Sequence, residues 1–266
     1  MIVAARLLRD RRRSLLWWAV GLVALVAFTV ALYPSIKGQA SFDQLMADLP
    51  NSVKVLVGYQ ADVPLTSPAG YLHGRLFALL APVVILVFSI GTGAQVIGGS
   101  EEAGTLEPLL ANPVSRQRVA VERYLAVVVM LTALVGVFTV ALITLAAPVD
   151  ALAGVSNTGL LGVCAGIFGL ALLHGTLAFA VGAATGRRGP AVAGATTLAV
   201  AGYLAHGLLT LTESLRPWRF LSPWQWYLER NMLAEGAEPA AIVIPVALSA
   251  VLFAVGWAAF RRRDLR

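Results

Sequence analysis

The sequence predicts an all-α membrane protein with six transmembrane helices and both termini on the cytoplasmic side. Three observations carry that prediction. Of 266 residues, 58% are hydrophobic and 13% charged, whereas soluble domains run near ~45–50% and ~25%. The apolar residues gather into six runs of 19 to 28 residues without a single Asp, Glu, Lys or Arg, and a spanning helix needs about 20. The arginines cluster in the connections between those runs, where membrane proteins carry topology signals. A soluble enzyme, a disordered chain and a collagen-like chain are excluded, and a β-barrel would alternate in short segments instead.

The first span is Leu15–Tyr33, behind a basic flank from Arg6 to Arg13. Its 19 apolar residues exceed the ~7–15 of a secretory signal, and Tyr33-Pro34 is a poor cleavage site, so it reads as a retained helix. The others are Leu76–Ile97, Tyr124–Ala146, Thr158–Thr185, Pro190–Leu211 and Ala240–Phe260. With the N-terminus inside, 14 of the 20 basic residues lie in inner segments, giving a net +8 inside and −2 outside. The longest stretch between spans, about 42 residues, is shorter than a domain of ~50. Residues 1–266 therefore read as one transmembrane domain. Arginines placed in this way serve a membrane, not nucleic acid.

Several chemistries lack their residues. The lone cysteine, Cys164, sits in an apolar run and reads as packing. No G-x-x-x-x-G-K-[ST] phosphate loop occurs, and the glycines at 91, 93, 98 and 99 suit close helix packing instead. His73, His174 and His206 are scattered, without carboxylates beside them in the spans, and read as hydrogen-bonded packing histidines. No catalytic or metal site follows. The lack of charge within the spans also argues against an ion-coupled carrier.

The connection after the second span is the most informative segment. On a helical wheel Leu106, Leu109 and Leu110 share a face with Ala103, opposite Gly104, Glu107 and Pro108. Glu101 and Glu102 are expected near the start of this short helix, where carboxylates suit the positive end of its dipole. Asn112-Pro113 stops it, and Arg116, Arg118 and Arg123 are expected to face headgroups or solvent. Such a helix either lies on the membrane surface or docks a cytosolic partner.

The run Glu102-Ala-Gly104-Thr105-Leu106-Glu107-Pro-Leu109-Leu110-Ala-Asn-Pro113-Val114-Ser115-Arg116 resembles the signature loop of ABC type-2 permeases, E-x-G-T-L-E-x-L-L-x-x-P-V-S-R. The resemblance extends to the six-span plan, the basic N-terminal segment and the run Leu221-Ser222-Pro223-Trp224-Gln225-Trp226-Tyr227 before the last span. The chain departs at Pro108, where the family more often has a large apolar residue; proline suits only the first turn of a helix. The resemblance implies the membrane subunit of a bacterial cell-membrane exporter that pairs with itself. A separate cytosolic ABC ATPase would bind the ATP and Mg, leaving no cofactor in this chain. The loop would be the coupling helix, with Glu102, Gly104, Thr105, Leu106, Glu107, Leu109 and Leu110 contacting the ATPase. Residues 1–14 would form an amphipathic elbow helix, with Val3, Ala4, Leu7 and Leu8 opposite Arg6, Arg9 and Arg13. Membrane lipids would be further partners, and drug or antibiotic efflux a use of the fold.

The outer segments fit that picture. Trp218, Phe220, Trp224, Trp226 and Tyr227 crowd into ten residues and suit a membrane-interface belt. The resemblance implies instead short re-entrant helices forming an outer gate, to which Pro223 also belongs. The first outer loop spaces Phe42, Leu45, Leu49, Val53, Leu56 and Val57 as two short helices broken at Pro50, and Arg75 is expected to snorkel outward. In the fourth span Gly159, Gly162, Gly166 and Gly169 recur every three or four residues, a close contact within the subunit or across a dimer. The spans offer mainly Thr, Ser, Gly and aromatics, which favours an amphipathic or lipophilic cargo. The alternative function is a lipid-modifying membrane enzyme, for which Glu101, Glu102, Glu107 and Glu122 are the available carboxylates.

Overall fold

The computed structural model describes residues 2–39, 50, 53, 63–106, 114–211 and 213–263. Among the described residues there is no strand, and six helices are long and apolar enough to cross a membrane. These are α1 (Ile2–Leu32), α2 (Pro68–Glu102), α3 (Arg116–Ala146), α4 (Asn157–Thr185), α5 (Arg188–Leu211) and α8 (Ala240–Arg262). Between α5 and α8 lie a 3-10 segment, Glu213–Leu221, and two short helices, α6 (Pro223–Leu228) and α7 (Met232–Glu235). The most apolar stretches match the expected spans. The helices overrun them mainly at the polar ends, where intrahelical hydrogen bonding continues beyond the lipid-compatible run.

The caps come from the sequence. Ser67, Ser115 and Ser156 begin α2, α3 and α4, each accepting a backbone N–H three residues on. Gly186 ends α4 in the left-handed region, φ +70°, a cap geometry that glycine takes without a Cβ penalty. Two π turns, His73–Phe77 and Gln95–Gly99, interrupt α2.

α4 is the axis of the bundle. Within its apolar window 78% is buried, against 22% for α1, α5 and α8. Lipid supplies no hydrophobic drive between helices, so association rests on close packing and hydrogen bonds. α4 provides both. Ser89 Oγ donates to the Ala171 carbonyl at 2.7 Å, and Tyr124 Oη meets Thr176 Oγ1 at 2.8 Å. The glycine stripe faces α6, α7 and α8 of the same chain. A Cβ on Gly159 would stand 2.2 Å from the Met232 carbonyl oxygen, and one on Gly162 2.6 Å from Ala237 Cβ. The stripe is therefore a contact within the subunit.

α1 runs unbroken from the basic segment into the first span. Its expected apolar arc is used inside the molecule: Val3 and Ala4 are buried and Leu7 and Leu8 half-buried, while Arg6, Arg9 and Arg13 are exposed. Cys164 is buried and free. His174 Nδ1 lies 2.8 Å from the Leu170 carbonyl, and His206 Nδ1 2.8 Å from Gln225 Oε1. Arg75 is exposed. The two helices expected over 42–57 lie outside the described residues, apart from Pro50 and Val53.

Candidate functional site

The bundle has an arginine-rich end and an aromatic end, and each carries residues singled out by the sequence. At the arginine-rich end, α2 stops at Glu102 and Gly104 takes φ +62°. This corrects one expectation. Glu101 and Glu102 occupy the last turn of the second spanning helix, not the first turn of a new one. A carboxylate is disfavoured at that negative helix end, but Arg263 holds Glu101 with both terminal nitrogens, Nη1 donating to Oε1 at 2.9 Å and Nη2 to Oε2. Glu102, Ala103, Gly104 and Thr105 then form an exposed turn.

Leu106 follows the turn. Expected to present itself to a partner, it is 1% exposed, packed in a small core with Val96, Ile97, Val119, Phe179 and Phe260. It anchors the turn to the bundle because this core sits directly beneath it. Glu107, Leu109 and Leu110 lie outside the described residues.

Arg123, expected to face headgroups or solvent, turns inward. Its side chain is buried and its Nη1 donates to the Val96 carbonyl at the π turn of α2. The π turn supplies the acceptor, since it disturbs the regular i to i−4 ladder. Arg116 Nη1 donates to the Arg263 carbonyl at 2.9 Å, and Arg118 Nε donates to Glu122 Oε1 at 2.7 Å.

Glu122 has a role the sequence reading missed. Its Oε2 accepts the N–H groups of Val3 at 2.9 Å and Ala4 at 3.2 Å. It thus caps α1 from 119 residues away, satisfying donors that the helix cannot satisfy itself. The signal available in sequence was an acidic residue four after Arg118, in a segment otherwise ready to become a span.

At the aromatic end the residues divide. Trp224 is 2% exposed, and its Nε1 donates to the Ala199 carbonyl on α5 at 2.9 Å. Tyr227 is also buried, and its hydroxyl donates to the Phe77 carbonyl on α2 at 2.8 Å. Burial holds its phenol well above the ordinary tyrosine value, so it stays a neutral donor. Pro223, buried, opens α6 after the Ser222 cap, and Ser222 Oγ donates to the Gly202 carbonyl at 2.7 Å. Trp226 is half-buried and donates to the Phe220 carbonyl at 2.8 Å. Trp218 and Phe220 are 56% and 57% exposed, unlike the buried Trp224 and Tyr227.

Between α2 and α5 runs an apolar cleft of about 380 Å³. Val83, Leu86, Val87, Val192 and Val200 line it, with Arg188 toward the arginine-rich end and Tyr203 and Trp224 toward the aromatic end. A second groove, lined by Trp17, Trp18, Gly21, Leu25, Phe28 and Val84, follows α1. α1, α2 and α5 therefore line the cleft and the groove between them. Among the described residues no group of three or more His, Cys, Asp or Glu is placed to hold a metal.

Comparison with known proteins bears on this arrangement directly. The family model described as ABC-2 family transporter protein matches residues 1–265. No curated protein matches the chain.

Proposed function

Since the chain belongs to the ABC-2 transporter family, whose members are multi-pass membrane permeases, we propose that it is the membrane subunit of an ATP-driven exporter. Residues 1–266 work as one permease domain that pairs with a second copy and docks a separate cytosolic ABC ATPase. The arginine-rich end faces the cytoplasm of a bacterial cell and the aromatic end faces outward, as the arginine count supports. ATP and Mg act in the partner; this chain supplies the path and the docking segment.

The observation that carries the reading is the exposed turn Glu102–Thr105, set between two spanning helices. Its neighbour Leu106 is pinned in the inner core, so a force on the turn is not absorbed by a loose loop. ATPase closure would move this segment and tilt the helices it joins. The cleft between α2 and α5 and the groove on α1 would form the path, closed outside by α6 with Trp224 and Tyr227 as the plug and Trp218, Phe220 and Trp226 around it. The lining favours an amphipathic or lipophilic cargo. As for lipid chemistry, Glu101 and Glu122 are already engaged by Arg263, Arg118 and backbone N–H groups.

Replacing Ala103 and Thr105 together by Arg puts two charged side chains on the exposed turn and leaves the bundle packing alone. The tagged variant is expected to insert in the membrane at wild-type level but to lose the ATPase subunit in a mild-detergent pull-down. Recovery of that subunit at wild-type stoichiometry sinks the docking assignment.

A further inference from the structure

We propose that Glu101 and Arg263 form a coupling clasp, a positioning pair that carries motion of the docking turn into the bundle without touching the partner. The inference rests on the reading of that turn as the ATPase contact. Its basis is geometric. The segment between α2 and α3 is rooted at Glu101, in the last turn of α2, and at Arg116, the first residue of α3. Both roots bind the same residue: the Glu101 carboxylate takes both terminal nitrogens of Arg263, and Arg116 Nη1 donates to the Arg263 carbonyl at 2.9 Å. Arg263 itself closes α8, its N–H donating to the Ala259 carbonyl at 3.2 Å.

A third element meets the same point. Gly186, in the turn between α4 and α5, has φ +70°, and a Cβ there would lie 2.3 Å from Arg263 Nη1 and 2.6 Å from Glu101 Oε1. The loop roots, the end of α8 and the α4–α5 turn are thus gathered on one ion pair. A two-toothed Arg–carboxylate contact fixes direction as well as distance. The side chains of Glu101 and Arg263 are only 8% and 20% exposed, so salt screens them less than a surface pair. A displacement of the turn cannot move either root without moving the end of α8.

The experiment uses the full permease with its copurifying ATPase in lipid nanodiscs, in a Cys164→Ser background carrying Leu221→Cys as reporter. Leu221 is exposed at the aromatic end, far from the clasp. The rate of its labelling by a membrane-impermeant maleimide is measured with and without ATP-Mg, together with ATPase recovery and turnover. The parent is expected to change labelling by about fivefold or more, the lower range of coupling between sites. Glu101→Gln and Arg263→Gln should each retain the ATPase and reduce that change below about twofold. The double variant should lose no more than either single one. An undiminished response in both single variants overturns the clasp, and so does loss of the ATPase from them, since the pair would then be part of the docking surface or of the fold. A parent that changes its labelling by less than twofold although it holds the ATPase overturns it as well. A parent that recovers no ATPase brings down the docking reading and the clasp together, and is told apart because it needs no variant.

Discussion

The two ends of this bundle are tied by different chemistry. At the aromatic end, side chains reach back to main-chain carbonyls: Trp224 to Ala199, Tyr227 to Phe77 and Ser222 to Gly202. At the arginine-rich end the ties are ionic: Arg263 to Glu101, and Glu122 to Arg118 and to the start of α1. The difference follows from where each lies. Neutral donors with large apolar bodies suit buried positions beside a membrane, whereas charged groups survive burial only when paired and hydrogen-bonded. The aromatic end is thus held by neutral groups at Trp224, Tyr227 and Ser222. The arginine-rich end can be strongly directional because its buried charges Glu101, Glu122 and Arg123 each have a fixed partner.

The comparison is broken most forcefully at Trp224. Trp224→Ala removes a side chain buried at the junction of α5 and α6 and leaves the Ala199 carbonyl without its donor. The expected cost is about 3–5 kcal/mol, the range for deleting a buried tryptophan, read from denaturant unfolding in detergent micelles. A cost below about 1 kcal/mol would mean that the aromatic end is held by lipid contact and not by its own packing.

The ionic end answers with a smaller but more local effect. Glu122→Gln keeps one acceptor but gives up the charge-assisted bonds to Val3, Ala4 and Arg118. Hydrogen bonds to a charged group contribute about 1.5–3 kcal/mol, so amide exchange at Val3 and Ala4 should quicken by about tenfold or more. Exchange at Tyr227 should stay unchanged. If both ends loosen together, the two sets of ties are one cooperative unit and the contrast between them is lost.

These two sites also mark how far the sequence can be read. The spans were legible because a membrane imposes length and apolarity on each helix separately. The partners were not. Nothing near Glu122 names Val3 as its ligand, since the contact joins residues 119 apart. Glu101 was read as a helix start from the dipole preference, yet Arg263, 162 residues on, makes it stable at a helix end. The wheel puts Leu106 on an apolar face, but periodicity gives the face and not what covers it; Leu106 is covered by Phe179 and Phe260 from α4 and α8. The glycine stripe was equally plain as a close contact and equally silent about its partner. Local rules fixed the elements, and long-range pairing fixed the site.

The smallest effect sharpens the comparison, because it separates charge as such from charge that is buried. The aromatic end also carries ion pairs, Arg219 with Glu229 at 3.0 Å and Arg230 with Glu235 at 2.8 Å. Both sit in water-accessible positions, and the Arg219 and Glu229 side chains are 39% and 46% exposed. Such pairs lose most of their Coulomb gain to solvent and to the entropy of ordering two long side chains, leaving about 0–1 kcal/mol. Arg219→Gln is therefore expected to shift the unfolding midpoint little at low salt and not at all at high salt. A larger, salt-resistant loss would place Arg219 with Glu122 and Arg263 among the groups that hold the bundle, and would show that the aromatic end depends on charge after all.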